Sequence, residues 1–314
     1  MTSTEKYTPT MQFALLLLFI GLGIIAGSAC TMLFANLYLG ATPNDFSEVI
    51  ANSKDPVVYR VLQVINVVFV MILPSAFFAR TNQSDVPGFL RFTKAINCKQ
   101  TFLLVSIVLA AIMIGGSLGA INEMIPIPES WASYFNQLEE DYSKQVLIIT
   151  SMKNVKDYIS ALFILALLPA IAEEMIFRAC IQKVFISISK NVWTGIVITA
   201  ILFSMMHLSF YGFLPRLFLG IVLGYVFYKG DNIWLTIIIH FLNNAFALTQ
   251  MYALSLHGEA PSAALEEDLP LMYGAVGVIV FVVLFRIFNR ETEFVLSMYR
   301  SQKMSASNST IDDK

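Results

Sequence analysis

The chain has 314 residues, of which 57% are hydrophobic and only 13% are charged. A soluble globular protein carries about a quarter charged residues, so this composition excludes an ordinary soluble domain and indicates an integral membrane protein. The formal net charge of −2 gives no indication of nucleic-acid binding.

Apolar segments near the length of a membrane span follow one another along the chain. A transmembrane helix needs about 20 mainly apolar residues. The segments are 12–38, 57–79, 101–121, 157–188, 191–209, 213–229, 232–250 and 271–288. We therefore predict an all-α integral membrane protein, a bundle of about eight transmembrane helices that forms a single domain over 1–290. A polar loop is expected over 122–156, and a partly disordered cytoplasmic tail over 291–314.

The distribution of positive charge predicts the orientation of the bundle. With eight crossings both termini lie on one side, and most Lys and Arg residues then fall on that side. Cytoplasmic loops carry an excess of Lys and Arg, so we expect the N- and C-termini to be cytoplasmic. The first segment is expected to remain as an uncleaved span.

Two pairs of glycines predict close helix packing. Gly23 and Gly27 lie four residues apart in the first apolar segment, and Gly220 and Gly224 have the same spacing in the sixth. Small residues at this spacing let two membrane helices approach closely. We interpret both pairs as packing sites.

Ionisable residues inside the apolar segments indicate a functional site. The fourth segment carries Glu173, Glu174 and Arg178. Glu174 shares a helix face with Arg178, so we expect these two side chains to pair. Glu173 points about 100° away and is predicted to remain available as a general base. A structural ion pair at a helix end, with Glu173 solvated, is the alternative.

Two histidines extend this pattern to neighbouring helices. His207 follows Phe203 in the fifth segment, while His240 precedes Asn244 by four residues in the seventh. Glu173 and His207 lie at similar distances from the predicted turn near Asn191, which places them at similar depth in the membrane. A histidine on an apolar helix is more often a packed residue than a functional one, but ionisable groups within a membrane are costly and usually functional.

The same side chains fit two kinds of hydrolytic chemistry. A carboxylate and an imidazole can deprotonate a water molecule, and a second imidazole with an amide can stabilise an oxyanion. Alternatively, Glu173, His207 and His240 could bind Zn²⁺, which in catalytic sites has three such ligands and a water. The residues alone leave both alternatives open.

The three motifs E-E-x-x-x-R, F-x-x-x-H and H-x-x-x-N resemble those of a known family. In order and spacing they are similar to the CAAX prenyl endopeptidase and bacteriocin-processing (CPBP, Abi) family of intramembrane proteases, over about 155–250. The resemblance implies an intramembrane endopeptidase that acts on a membrane-associated protein or peptide. It leaves open whether the mechanism uses Zn²⁺ or is metal-free.

The resemblance also implies a role for each site residue. Glu173 would activate water together with His207, while His240 and Asn244 would form the oxyanion site. The supporting residues would be Glu174 and Arg178. A non-catalytic immunity or scaffold protein of the same family and a proton-coupled transporter are the alternative functions.

Overall fold

A computed structural model describes residues 6–92, 96–261 and 270–312, and the regular elements within these ranges are helices without any strand. In chain order the helices are α1 (Pro9–Leu39), α2 (Phe46–Ala51), α3 (Pro56–Asn82), α4 (Val86–Phe89), α5 (Cys98–Glu123), α6 (Glu129–Ile149), α7 (Val155–Ser189), α8 (Val192–Met205), α9 (Phe213–Gly230), α10 (Ile233–Leu256) and α11 (Leu271–Asp312).

Among the described residues, seven helices are long and apolar enough to cross a membrane: α1, α3, α5, α7, α9, α10 and the first 29 residues of α11. Helix α8 is also apolar, but its 14 residues make it shorter than the predicted segment 191–209. The structure confirms an all-α membrane bundle of about eight helices.

Packing at one end of the bundle places both ends of the described chain on the same side. The start of α1 contacts the end of α7, where the rings of Phe13 and Phe185 lie 5.7 Å apart. The end of α9 contacts α11 through Lys229 and Glu293, which form an ion pair at 2.5 Å. Because α7 and α9 are separated by α8, their ends lie on the same side. This agrees with an even number of crossings, while the identity of the cytoplasmic side stays a prediction.

Wide π-helical turns interrupt two of the long helices. They cover Val67–Ile72 in α3 and Leu162–Leu167 and Glu174–Gln182 in α7. The first two are followed by Pro74 and Pro169, which lack the N–H that an α-helix would use and crowd the preceding turn. Isolated π-helical turns are common at functional sites, and the third one begins at Glu174.

The polar segment 122–156, predicted as a loop, contains helix α6. This helix has no fully buried residue and lies on the surface of the bundle. Arg60 of α3 fixes its end, because the guanidinium donates to the carbonyls of Ile149 at 3.1 Å and Ser151 at 2.9 Å. The segment 291–312, predicted to be partly disordered, continues helix α11.

Both predicted glycine pairs lie at close helix contacts. A Cβ atom at Gly23 would lie 2.0 Å from the carbonyl oxygen of Phe69, in the π-helical turn of α3. A Cβ atom at Gly220 would lie 2.9 Å from the Cβ of Ala200, between α9 and α8. The backbones therefore approach more closely than any larger residue would permit.

We predict that Gly23→Ala lowers stability, because the clash is with backbone that cannot move aside. The expected loss is about 1–3 kcal/mol, measured by thermal unfolding in detergent. Gly21→Ala is the matched control on the same helix, since a Cβ there meets nothing within 4 Å. Equal melting temperatures for the two variants would contradict the prediction.

Candidate active site

The predicted ion pair forms in the centre of the bundle. Nε of Arg178 donates to Oε2 of Glu174 at 3.1 Å, and both side chains are fully buried. Glu173 differs from its neighbour, since 12% of its side chain is exposed and its Oε2 accepts no hydrogen bond within the described chain. The structure thus distinguishes the two glutamates: Glu174 is held by a cation, whereas Glu173 keeps one carboxylate oxygen that is buried and unbonded.

His240 of α10 joins the two glutamates. Its Nδ1 donates to Oε1 of Glu174 at 2.9 Å, and its Nε2 faces Oε2 of Glu173 at 3.7 Å. The first distance is a hydrogen bond and the second is too long for one. We had expected the carboxylates to serve different neighbours, but both face the same imidazole.

Phe203 of α8 is the apolar surface on which the site is assembled. Its ring contacts the imidazoles of His207 and His240 edge-on, with centroid distances of 5.1 and 5.6 Å. The guanidinium carbon of Arg178 lies 5.2 Å from the same ring centre, which is a cation–π distance. One aromatic side chain therefore contacts the residues of all three motifs.

His207 lies just beyond the end of α8, in the loop 206–212. Its Nδ1 donates to the carbonyl oxygen of Phe203 at 2.9 Å. Because a carbonyl only accepts, Nδ1 carries a proton, and in the neutral ring Nε2 is left as an acceptor. In the described chain no hydrogen bond or ion pair joins His207 to Glu173, so the geometry favours His240 as the imidazole beside Glu173.

The loop that carries His207 is fixed from two sides. Asn122 at the end of α5 donates to the carbonyl of Phe210 at 2.9 Å and accepts from the backbone N–H of Leu214 at 2.8 Å. Ser204 donates to the carbonyl of Phe213 at 2.7 Å. Leu208 has a positive φ of 52°, a conformation that non-glycine residues rarely adopt and that occurs most often at functional sites.

Asn244 follows His240 by one helical turn, as the sequence predicted. It is partly buried, and its Oδ1 lies 3.5 Å from Nδ2 of Asn243. Within the described chain its own amide N–H groups donate to no protein acceptor, so they are available to bind a developing negative charge.

Sequence reasoning missed Arg216, which it counted only as a loop charge. Arg216 lies in the first turn of α9, where its guanidinium is close to Gly212 in the loop that carries His207. Its position one helical turn after Gly212, at the start of an apolar helix, was the only available signal.

Zinc was one of two alternatives that the sequence left open, and the spacing of the donor atoms bears on it. Among the described residues no group of three His, Cys, Asp or Glu side chains is arranged to hold a metal ion. His240 uses Nδ1 to bind Glu174, while His207 is turned toward the carbonyl of Phe203. These hydrogen bonds leave Nε2 of both imidazoles available, as in many metal-ligating histidines. The spacing of the donor atoms, not their hydrogen bonding, is therefore what does not suit a three-ligand centre in the described residues.

A known protein family matches the segment that carries the candidate site. Residues 156–246 match the family model described as type II CAAX prenyl endopeptidase Rce1-like. The match covers less than a third of the chain but contains every predicted site residue, and it confirms the resemblance that the three motifs indicated. Comparisons of the chain with curated proteins and with solved structures found no significant match. The family is one of proteases, so the match supports a membrane protease.

We predict that Glu174→Gln destabilises the protein by about 3–5 kcal/mol, because it leaves the Arg178 guanidinium buried without an anion. Chemical denaturation in detergent measures this change. The double variant Glu174→Gln, Arg178→Met removes both charges and should regain most of the lost stability. A single variant as stable as the wild type would show that the ion pair does not hold this site together.

Proposed function

We propose that the protein is an intramembrane endopeptidase in which Glu173 activates a water molecule to hydrolyse a peptide bond. The main support is the asymmetry of the glutamate pair: Glu174 is neutralised by Arg178, whereas Glu173 is partly exposed and its Oε2 accepts no hydrogen bond. A carboxylate in an apolar site, near an imidazole, is suited to general-base catalysis.

The proposed reaction needs no covalent enzyme intermediate. Glu173 takes a proton from water while the water oxygen attacks the carbonyl carbon of the scissile bond. Nε2 of His207 accepts a hydrogen bond from the same water and orients it. The tetrahedral intermediate then collapses with cleavage of the C–N bond, and the proton held by Glu173 passes to the leaving nitrogen.

The negative charge of the tetrahedral intermediate must be stabilised by hydrogen-bond donors. His240 has a hydrogen-bonded anion in Glu174 and a second nearby carboxylate in Glu173, and a protonated imidazole can donate from Nε2. Asn244 lies on the same helix face and offers its free amide N–H groups. Preorganised donors of this kind commonly supply a large part of the rate enhancement.

The proposed substrate is a membrane-associated protein or peptide. The matched family is described by its action on prenylated CAAX sequences, so a farnesylated CAAX peptide is the first substrate to assay.

The excess of positive charge on the side of both termini supports a cytoplasmic location for them.

Replacement of the proposed base tests this function directly. We expect Glu173→Gln to reduce kcat by about 100- to 10,000-fold while leaving the melting temperature nearly unchanged, because Glu173 does not neutralise Arg178. The measurement is cleavage of an internally quenched farnesylated CAAX peptide in detergent or nanodiscs. Full activity of this variant would exclude Glu173 as the base, and full biological function without cleavage would favour the immunity or scaffold role.

Metal dependence is tested in the same assay. The donor arrangement supports direct activation of water by Glu173 better than a three-ligand zinc site, so we expect activity to survive prolonged treatment with a chelator. Metal analysis of the purified protein provides an independent measurement. Loss of activity on chelation with recovery on addition of Zn²⁺ would favour the metal mechanism.

Asn244 tests the oxyanion site separately from the base. We expect Asn244→Ala to lower kcat by about 100- to 1,000-fold with a smaller effect on KM, as for removal of one oxyanion donor. Gln250→Ala is the matched control, since this amide of the same helix is also partly buried but lies off the His240 face. Similar losses in the two variants would indicate a packing defect instead.

A further inference from the structure

Arg216 is held in one position at the start of α9. One guanidinium nitrogen, Nη2, donates to the hydroxyl of Tyr142 on α6 at 2.9 Å, and the guanidinium carbon lies 5.3 Å from the centre of that ring. Gly212 makes room for it, because a Cβ there would lie 2.3 Å from Nη1. The side chain is therefore fixed by its neighbours.

The charge of Arg216 has no anionic partner among the described residues. Its Nη1 is shielded from solvent and donates to no acceptor within the described chain. The guanidinium lies against Gly212, in the loop that carries His207. Arg178, in contrast, has an anionic partner in Glu174 through Nε, although its Nη1 and Nη2 also donate to no acceptor within the described chain. A guanidinium is the side chain best suited to bind a carboxylate, and one that is held against the loop of His207 is positioned to meet a substrate.

Helix α6 closes this side of the site. It is joined to the loop 206–212 by hydrogen bonds from Ser209 to Glu139 at 3.2 Å and from Tyr211 to Asn136 at 3.3 Å. A peptide that continued past Arg216 would have to separate α6 from the loop. An end of the site that is covered by α6 and carries the guanidinium of Arg216 fits the end of a chain, and only the carboxyl end of a peptide is negatively charged.

We propose that Arg216 binds the free C-terminal carboxylate of the peptide substrate and so determines which bond is cleaved. This proposal rests on the proposed function, since it assigns part of the same site. An anchored carboxylate fixes the position of the scissile bond, because an extended chain advances by about 3.3–3.6 Å per residue. Arg216 is thus a specificity residue and does not take part in the bond-breaking steps.

Two farnesylated peptides that differ only at the C-terminus test the assignment. One ends in a free carboxylate and the other in a carboxamide. We expect the wild type to cleave the carboxylate peptide with a kcat/KM about 10- to 100-fold higher, as for one charge-assisted hydrogen-bonded contact. Arg216→Gln should reduce this ratio to below about threefold.

Two further variants separate position from charge. Gly212→Ala keeps the charge but displaces the guanidinium, and the backbone at Gly212 has φ −85° and ψ 4°, which alanine accepts. It should lower the ratio as Arg216→Gln does. Lys144→Gln removes an exposed positive charge from α6 and should leave the ratio unchanged.

A binding measurement keeps this test independent of catalysis. Affinity for the same two peptides is determined by fluorescence anisotropy in the Glu173→Gln protein, with and without Arg216→Gln. A preference for the carboxylate that disappears with Arg216→Gln supports the assignment even if the wild type cleaves neither peptide, a result that would count against the proposed function alone. The role of Arg216 would be overturned by any of three results: equal binding of both peptides, no binding, or an equal loss of affinity for both peptides in Arg216→Gln. If anionic lipid competes with the peptide for Arg216, the residue would be reassigned to binding a lipid headgroup.

Discussion

The buried ion pair between Glu174 and Arg178 is the constraint on which the site depends. Two charges withdrawn from water are tolerated only when they are close together and otherwise well bonded. Glu174 meets this requirement with Arg178 on one oxygen and His240 on the other. Arg178 meets it only in part: the ring of Phe203 covers the guanidinium, but Nη1 and Nη2 donate to no acceptor within the described chain. The same contacts that make the pair tolerable fix α7, α8 and α10 relative to one another.

This arrangement also explains why two adjacent glutamates can differ in role. Glu174 is committed on both oxygens, so its charge is balanced and its side chain cannot move. Glu173 lies one residue before the π-helical turn. Its Oε2 faces the other ring nitrogen of His240, Nε2, at 3.7 Å. The neutralised neighbour thereby orients the imidazole that faces Glu173, and the structural pair and the proposed reactive carboxylate are parts of one network.

The sequence predicted those features that depend on spacing along a single helix. The Glu174–Arg178 pair and the common face of His240 and Asn244 follow from the four-residue repeat. The partner of Glu173 could not be predicted in this way, because it depends on how α7 and α10 rotate against each other. Helix α6 was missed because its polar composition resembles a loop, and Arg216 because its role depends on Tyr142, which is distant in sequence.

Because α8 is short, irregular backbone with polar groups lies next to the site. Fourteen residues extend about 21 Å, less than the roughly 30 Å apolar thickness of a bilayer, so the loop 206–212 must complete the crossing. Irregular backbone is tolerated at such depth only if its polar groups are bonded within the protein, which Asn122 and Ser204 achieve. Met206 and Leu208 point outward and are 60% and 68% exposed. The loop therefore presents apolar side chains to its surroundings and directs His207 inward, which is what a water-using site inside a membrane requires.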